Sequence, residues 1–467
     1  MLRIISNLRI YEYENEIHAL AKAFFPGAEV SVEHLGGPAN EQACLLFAWD
    51  EKEAFRVYPD TGGRDPFKRS LYQALCEKTG KSLPWGSLTG IRPVRLAMRR
   101  LDAGMEGEAV VRDMEEQYLL SREKALLCRE IAVREREILS RLSPKEGISL
   151  YLHIPFCPSR CLYCSFASES VGKTRDRVRK YLEALFLEIR GTARILNGRP
   201  PESGYIGGGT PTALLTEELE ELFTVLEESF DLSGMKEFTV EAGRPDSIDR
   251  ERLRLLKRHG VSRISVNPQT MRDETLERIG RKHTREDVIR AFLLARDEGF
   301  DNINMDIILG LPGEGIGDVQ YTLEEIGKLS PDSLTVHSLA VKRGSMLAGI
   351  TDREEADDRD MEKMMRLAME GARAMGLMPY YLYRQKNMTG NLENTGFAKP
   401  GKYGIYNILI NEEVQDIAAM GAGAISKRVD DEGTCRRSAN FKETHRYIAD
   451  VEEMIRRKQE LFAAKET

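Results

Sequence analysis

The chain has 467 residues, a length that fits two to three domains. Hydrophobic residues make up 41% and charged residues 31%, as in an ordinary globular protein, and a net charge of −7 with a pI near 5.8 excludes a general nucleic-acid footprint. No run of about 18 apolar residues occurs and no long apolar stretch follows the N-terminus, which predicts neither a membrane span nor a signal peptide and makes the cytoplasm the expected compartment.

Residues 1–145 read as a small α+β domain with a helical connector. LRIISNLRIY and ACLLFAWDEKEAFRVYP have the composition of strands, EIHALAKAFF lies between them as a helix, and LYQALCEKTG is a second helix. A charged helix is expected over 121–142. The pattern changes at residue 148. Short apolar runs (ISLYLHI, SGYIG, EFTVEA, SRISVN, NINMDIILG, DSLTVHSLA) alternate with amphipathic helical stretches. Six strands with a helix between each pair predict a parallel α/β sheet over 146–345, a partial (β/α)6 barrel whose site lies at the C-terminal strand ends. Residues 346–467 are expected to form an α-rich C-terminal extension: a helix over 352–376, a loop over 384–411 and a charged terminal helix over 445–462.

Seven cysteines are present, and Cys44, Cys76, Cys128 and Cys435 are scattered singly, a poor disulfide framework. Cys157, Cys161 and Cys164 instead form CxxxCxxC directly after the first barrel strand, in HIPFCPSRCLYCSFAS. Pro158 disfavours helix at Cys157, so the segment reads as a loop. Soft thiolates suit an iron–sulfur cluster or zinc. A structural zinc site is closed by four ligands, and only His153, inside the strand pattern, is at hand as a fourth. Three thiolates leave one iron of a [4Fe–4S] cube open.

The polar residues of this segment fall where a barrel site should be. Gly207, Gly208, Gly209, Thr210 and Pro211 end the second strand, where bare backbone lets a ligand approach closely. Glu241 ends the third strand, Gln269 follows the fourth and Asp306 lies in the fifth. Buried polar groups of this kind need a polar partner.

CxxxCxxC after the first strand of a six-fold βα chain resembles the radical S-adenosylmethionine signature. The longer string YLHIPFCPSRCLYCSFAS is similar to the oxygen-independent coproporphyrinogen III dehydrogenase-like proteins (HemN, HemW and HemZ) over about residues 148–447. WGSLTGIRPVRLAMRRL and NMTGNLENTGFAKPG are similar to the HemZ branch. The resemblance implies a [4Fe–4S] cluster on the three cysteines and one or two molecules of S-adenosylmethionine, cleaved to a 5′-deoxyadenosyl radical. It implies that Tyr151 lies near the sulfonium and Tyr163 near the adenine. It also implies that Gly208, Gly209, Thr210, Glu241 and Gln269 contact the cofactor, that Arg281 lies at the cofactor site and pairs near a carboxylate, and that Asp306 binds a second molecule. Ala340 and Ile425 match cofactor-lining positions. Read alone, Tyr151 is a strand core residue, Arg281 one arm of a surface ion pair, and Ala340 and Ile425 core.

The implied reaction is oxidative decarboxylation of two propionates of coproporphyrinogen III to the vinyls of protoporphyrinogen IX, with a reductant such as flavodoxin or ferredoxin as partner. Lys342, Arg343 and Arg384 are candidates for holding the carboxylates. Two departures keep alternatives open. Phe166 stands where the dehydrogenase has a further cysteine, and GIYNILIN lacks the histidine and tryptophan of the chaperone branch's HNxxYW string. A heme chaperone and a radical enzyme acting on another tetrapyrrole are the competing readings.

Overall fold

Each apolar run expected between residues 148 and 340 forms a strand, and helices separate them in the chain. The computed structural model describes residues 2–7, 13–26, 28–34, 44–49, 52–90, 92–166, 168–342, 344–350, 357–385 and 392–463. It divides into one unit of residues 1–133, 357–362 and 382–394 and a second of residues 134–356, 363–381 and 395–467.

In the first unit, β1 (Leu2–Ser6), β2 (Val30–His34), β3 (Leu45–Trp49) and β4 (Lys52–Val57) form a sheet in the order β2-β1-β3-β4, with β1 parallel to β2 and antiparallel to β3. The alternation in LRIIS buries Leu2 and Ile4 on one face. Helices α1 (Glu14–Phe24) and α2 (Arg64–Thr79) bring Ile17, Leu20, Phe24, Phe67, Leu71 and Leu75 into the same core. Strand β2 was not expected, because all five of its residues are only half-buried and VSVEH carries too little apolar contrast. Helices α3 (Val94–Asp102), α4 (Glu108–Tyr118) and α5 (Arg122–Leu139) follow.

This unit overturns one expectation. Arg384 is 5% exposed, donates from Nη1 to the Leu88 carbonyl at 2.7 Å and lies over the Trp85 ring at 5.1 Å. The buried carboxylate of Glu393 accepts from Trp85 Nε1 at 2.8 Å and from Lys124 Nζ at 2.6 Å. Arg384 therefore serves the interior of this unit and is not a candidate for holding a substrate carboxylate.

The second unit begins its strands with β5 (Ile148–Ile154). A two-residue pair, β6 (Phe156–Cys157) with β7 (Glu169–Ser170), brackets the cysteine loop. Then follow α6 (Arg175–Leu196), β8 (Pro201–Gly208), α7 (Thr216–Ser229), β9 (Glu237–Val240), α8 (Arg250–Arg258) and β10 (Arg263–Ser265). Helices α9 (Asp273–Arg278) and α10 (Arg285–Asp297) lead to β11 (Ile303–Leu309), α11 (Ile316–Leu329) and β12 (Ser333–Ser338). Strands β5, β8, β9, β10, β11 and β12 are parallel neighbours in that order, as the alternation of strand and helix requires. Along β5, Ile148, Leu150, Leu152 and Ile154 are at most 1% exposed on one face, while Ser149, Tyr151 and His153 occupy the other. The second set faces the inside of the curved sheet, where function is built.

The C-terminal region holds α12 (Asp358–Ala374) where a helix was expected, α14 (Thr444–Ala449) and α15 (Val451–Ala463) in place of the single terminal helix, and α13 (Ile405–Glu412), which was not expected. It also holds five strands that were not expected: β13 (Met378–Tyr383), β14 (Asn394–Ala398), β15 (Ile417–Met420), β16 (Ile425–Val429) and β17 (Cys435–Ala439). They extend the sheet at both edges, with β14 antiparallel to β12 and β15 parallel to β5. The segment 384–411, expected as loop, thus contains β14 and part of α13. Its glycines and asparagines weakened the local signal, and partners far along the chain supply the pairing.

Candidate active site

The cysteine loop is tied to the barrel by backbone hydrogen bonds. Leu162 N donates to the Ile279 carbonyl at 3.0 Å, and Leu347 N donates to the Leu162 carbonyl at 2.9 Å. Arg160 Nη2 reaches the Gly344 carbonyl at 2.6 Å. The glycine run locks onto the same loop: Gly209 N donates to the Ile154 carbonyl at 2.8 Å and Thr210 N to the Phe156 carbonyl at 2.7 Å. Thr210 Oγ1 then donates to Cys157 Sγ at 3.5 Å. A Cβ at Gly209 would meet the Phe156 carbonyl oxygen at 2.4 Å, so a glycine is required there for packing. Gly208 has φ +109°, a region open to glycine, and lies against the His153 ring.

The three thiols lie within electrostatic reach of one another. Burial pushes the Cys157 and Cys164 thiols up, so a cation must supply the charge that makes them thiolates. His153 Nδ1 is 3.0 Å from the Tyr151 hydroxyl, and burial lowers its pKa to about 4, which leaves it neutral. Among the described residues no three His, Cys, Asp or Glu side chains are grouped to hold a single metal ion. Thiols that bind three corners of a cube stand further apart than the ligands of one ion.

Inward residues of successive strands form the rest of the site. Tyr151, on β5, stacks with Tyr205 of β8 and with Tyr406 of α13, at centroid distances of 6.1 and 5.9 Å. The Tyr205 hydroxyl donates to Glu241 Oε1 at 2.5 Å, and Gly208 N donates to Oε2 at 3.2 Å. Burial raises the Glu241 carboxyl to about 7, against the pull of the Tyr205 hydrogen bond. Gln269 takes a left-handed φ of +68° and bridges to β11, its N–H donating to the Asp306 carbonyl at 2.9 Å. Asp306 accepts from Asn304 Nδ2 at 2.6 Å and pairs with His337 Nε2 at 3.8 Å. Burial alone would raise Asp306, but His337, Asn304 and Thr335 outweigh it and hold the carboxyl below its usual range.

Arg281 is no surface ion pair. It is 7% exposed, donating from Nη1 to the Asn267 carbonyl at 2.6 Å and from Nη2 to the Tyr163 hydroxyl at 3.2 Å. Tyr163 rests on the cluster of Leu276, Ile279, Ile308, Leu311, Leu339 and Leu347, with Val341 beside it. Ala340, preceding Val341, is half-buried, and Ile425, at the start of β16, is 45% exposed rather than core. Lys342 lies within electrostatic reach of Cys164. Phe166 is 61% exposed, and Arg343 lies outside the described residues.

The inner wall also contains Ser265 Oγ, Asn267 Oδ1, Gln269 Oε1 and Arg281 Nε, all buried with no hydrogen-bond partner among the described residues. Orphaned polar atoms at successive positions beyond one strand are rare in a finished interior and fit a polar ligand. Together with three thiols and a glycine-lined strand end, they fit a cluster and S-adenosylmethionine. Tyr205, Arg244, His337 and Tyr406 were absent from the sequence-derived set. Tyr205 was findable from its alternation with Ile206, whereas Tyr406 arrives on a C-terminal helix with no local signal.

A parallel partial barrel with three loop cysteines and a polar interior defines the radical S-adenosylmethionine class, and residues 151–326 match the family model "Radical SAM superfamily". The chain is 40% identical over 426 residues, 90% of its length and 84% of the relative's, to the oxygen-independent coproporphyrinogen-III oxidase-like protein HemZ of Bacillus subtilis. It is 34% identical to the heme chaperone HemW of the same organism, over 59% of this chain and 70% of that one. The solved structure of coproporphyrinogen III oxidase (HemN) from Escherichia coli, a radical SAM enzyme, superposes with a TM-score of 0.56 at 25% identity, over 67% of this chain and 71% of that one. The chain belongs to the oxygen-independent coproporphyrinogen III oxidase-like family of radical SAM proteins. Its cofactors are a [4Fe–4S] cluster and S-adenosylmethionine. No described helix is long and apolar enough to cross a membrane.

Proposed function

We propose that this chain catalyses the oxygen-independent oxidative decarboxylation of coproporphyrinogen III to protoporphyrinogen IX. The observation that carries this reading is the inner wall: a buried to half-buried polar lining from β9 to β12, in a chain 40% identical to an oxidase-like relative. Cys157, Cys161 and Cys164 would hold the cluster. Glu241 and the Gly208 to Thr210 backbone would receive the cofactor's amino group, and Arg281 its carboxylate. Asn267, Gln269 and Asp306 complete the polar lining. When bound, S-adenosylmethionine supplies a carbon radical that removes a hydrogen atom.

The chain's own contribution is to hold and orient. Tyr151, Tyr205 and Tyr406 make an apolar wall that excludes water from the reacting centre. Tyr205 orients the Glu241 carboxyl by donating its hydroxyl to Oε1. For each propionate, one hydrogen atom leaves the β-carbon, CO2 departs, and one electron passes to an acceptor, leaving a vinyl group. Among the described residues, Lys342, near Cys164, is the candidate cation for the substrate's carboxylates.

The test is an anaerobic assay with coproporphyrinogen III, S-adenosylmethionine and a reductant. The expected products are two CO2 and a divinyl tetrapyrrole. Cleavage of S-adenosylmethionine without vinyl product would overturn the reading. Relatives named as heme chaperones favour a second reading, heme binding and delivery. Stoichiometric heme transfer without turnover would select it.

A further inference from the structure

One buried cation beside the cysteine loop has no role in the proposed reaction. Arg244 lies in the turn after β9, between Glu241 and Asp246, and is 3% exposed. Its fork is fully engaged. Nε and Nη2 donate to the two oxygens of Asp246 at 2.8 and 2.7 Å. Nη1 donates to the Ser159 carbonyl at 3.1 Å, to the Ser159 hydroxyl at 3.0 Å and to Cys161 Sγ at 3.7 Å.

A guanidinium is costly to bury unless paired, and Asp246 pairs this one in the bidentate geometry that fixes its plane. That fixed plane directs the remaining arm, Nη1, at the Ser159–Cys161 turn and the middle thiol of the motif. Cys161 is 7% exposed, so its sulfur is screened little by water. Arg281 lies within electrostatic reach of the same thiol. Cys161 is therefore flanked by two guanidinium groups. A hydrogen bond to Cys157 comes from the neutral Thr210 hydroxyl. Of the three thiols, Cys161 alone accepts a hydrogen bond from a guanidinium among the described residues. A purely mechanical tie would need only the Ser159 carbonyl.

We infer that Arg244, oriented by Asp246, is a positioning residue that clamps the Ser159–Cys161 turn and stabilises negative charge on the Cys161 sulfur, raising the reduction potential of the cluster. This rests on the reading that the three cysteines hold a [4Fe–4S] cluster. The step it governs is the transfer of one electron from an external one-electron donor to that cluster. No proton moves and no bond forms or breaks. The added negative charge falls on the iron–sulfur core and its thiolates, and hydrogen bonds to sulfur are a recognised determinant of cluster potential. Asp246 keeps the guanidinium from swinging away, and its own carboxyl is held low by Arg244 in spite of burial.

The test uses the full chain, reconstituted anaerobically with iron and sulfide, as wild type, Arg244→Met and Arg244→Lys. Iron and sulfide per chain are measured first. A dithionite titration followed by electron paramagnetic resonance then gives the one-electron equilibrium without reference to turnover. Arg244→Met should retain its cluster and accept the electron about tenfold less favourably, a potential about 59 mV lower. Arg244→Lys, which keeps the charge but loses the fork, should recover part of the shift. If either variant carries a full cluster at the wild-type potential, the inference is overturned. Loss of iron from both variants in chains that remain folded by circular dichroism also overturns it, leaving Arg244 as scaffold alone. A wild-type chain that takes up no iron refutes the cluster reading itself, a distinct outcome.

Discussion

Glu241 and Gly209 show how single residues govern this site. The fold favours the protonated form of Glu241, because burial raises its carboxyl from 4.5 to about 7. Between those values the unfolded chain has lost the proton that the folded chain retains. The contribution of Glu241 to stability is therefore full below about pH 4.5 and falls as pH rises to about 7. The loss is on the order of 3 kcal/mol at most. Urea unfolding of the cofactor-free chain at pH 5 and pH 8 should show a drop that is smaller in Glu241→Gln by that amount. An equal drop in both chains would contradict the assignment. Gly209→Ala places a methyl on the Phe156 carbonyl and should cost about 1–3 kcal/mol. Because the glycine backbone carries the cysteine loop, iron uptake should fall in the same variant, read as iron per chain after reconstitution. Cys157→Ala, Cys161→Ala and Cys164→Ala combined should abolish that uptake.

At the scale of an element, α13 presents a clear case. Its first two N–H groups, on Ile405 and Tyr406, donate to Glu237 at 2.7 and 3.2 Å. A carboxylate there satisfies donors that a helix N-terminus leaves open. The helix then delivers Tyr406 between Tyr151 and Tyr205, 4.8 Å from the latter ring. The Tyr406 hydroxyl is buried and has no partner among the described residues. Tyr406→Phe should therefore be neutral or stabilising by about 1 kcal/mol in thermal unfolding, since the stack remains and an unsatisfied group is removed. Tyr406→Ala should cost about 3–5 kcal/mol by opening a cavity against Tyr151. The string GIYNILIN lacks the histidine and tryptophan of HNxxYW, and its tyrosine stacks on Tyr151 and Tyr205.

At the scale of the whole second unit, the last helix is tied to the first barrel helix through buried charge. Lys458, on α15, is 1% exposed and donates to Glu188 of α6, which is 0% exposed. Glu188 also accepts from Gly421 N at 2.7 Å and from Asn440 Nδ2 at 2.7 Å. These bonds join α6, α15 and the turn between β15 and β16. Lys458→Met should leave the Glu188 carboxylate uncompensated and cost about 3–5 kcal/mol in urea unfolding. Removing the charge on both sides, in Lys458→Met with Glu188→Gln, should recover part of that loss.

By itself the sequence determined what depends on neighbours along the chain. The thiol spacing from Cys157 to Cys164, the glycine run at 207–209 and the alternation of strand and helix from 148 to 340 are local patterns. Local patterns suffice because period and turn chemistry act within a few residues. Tertiary structure alone decided which groups meet. Arg244 touches Cys161 from 83 residues away, Ile405 meets Glu237 across 168, and β15 pairs with β5, the start of the barrel. None of these partners leaves a periodic trace, since a polar side chain reaching across a fold is indistinguishable in sequence from one facing water. The same reason overturned Arg384 as a carboxylate-holding candidate and Arg281 as a surface ion pair: burial is a property of the packed molecule.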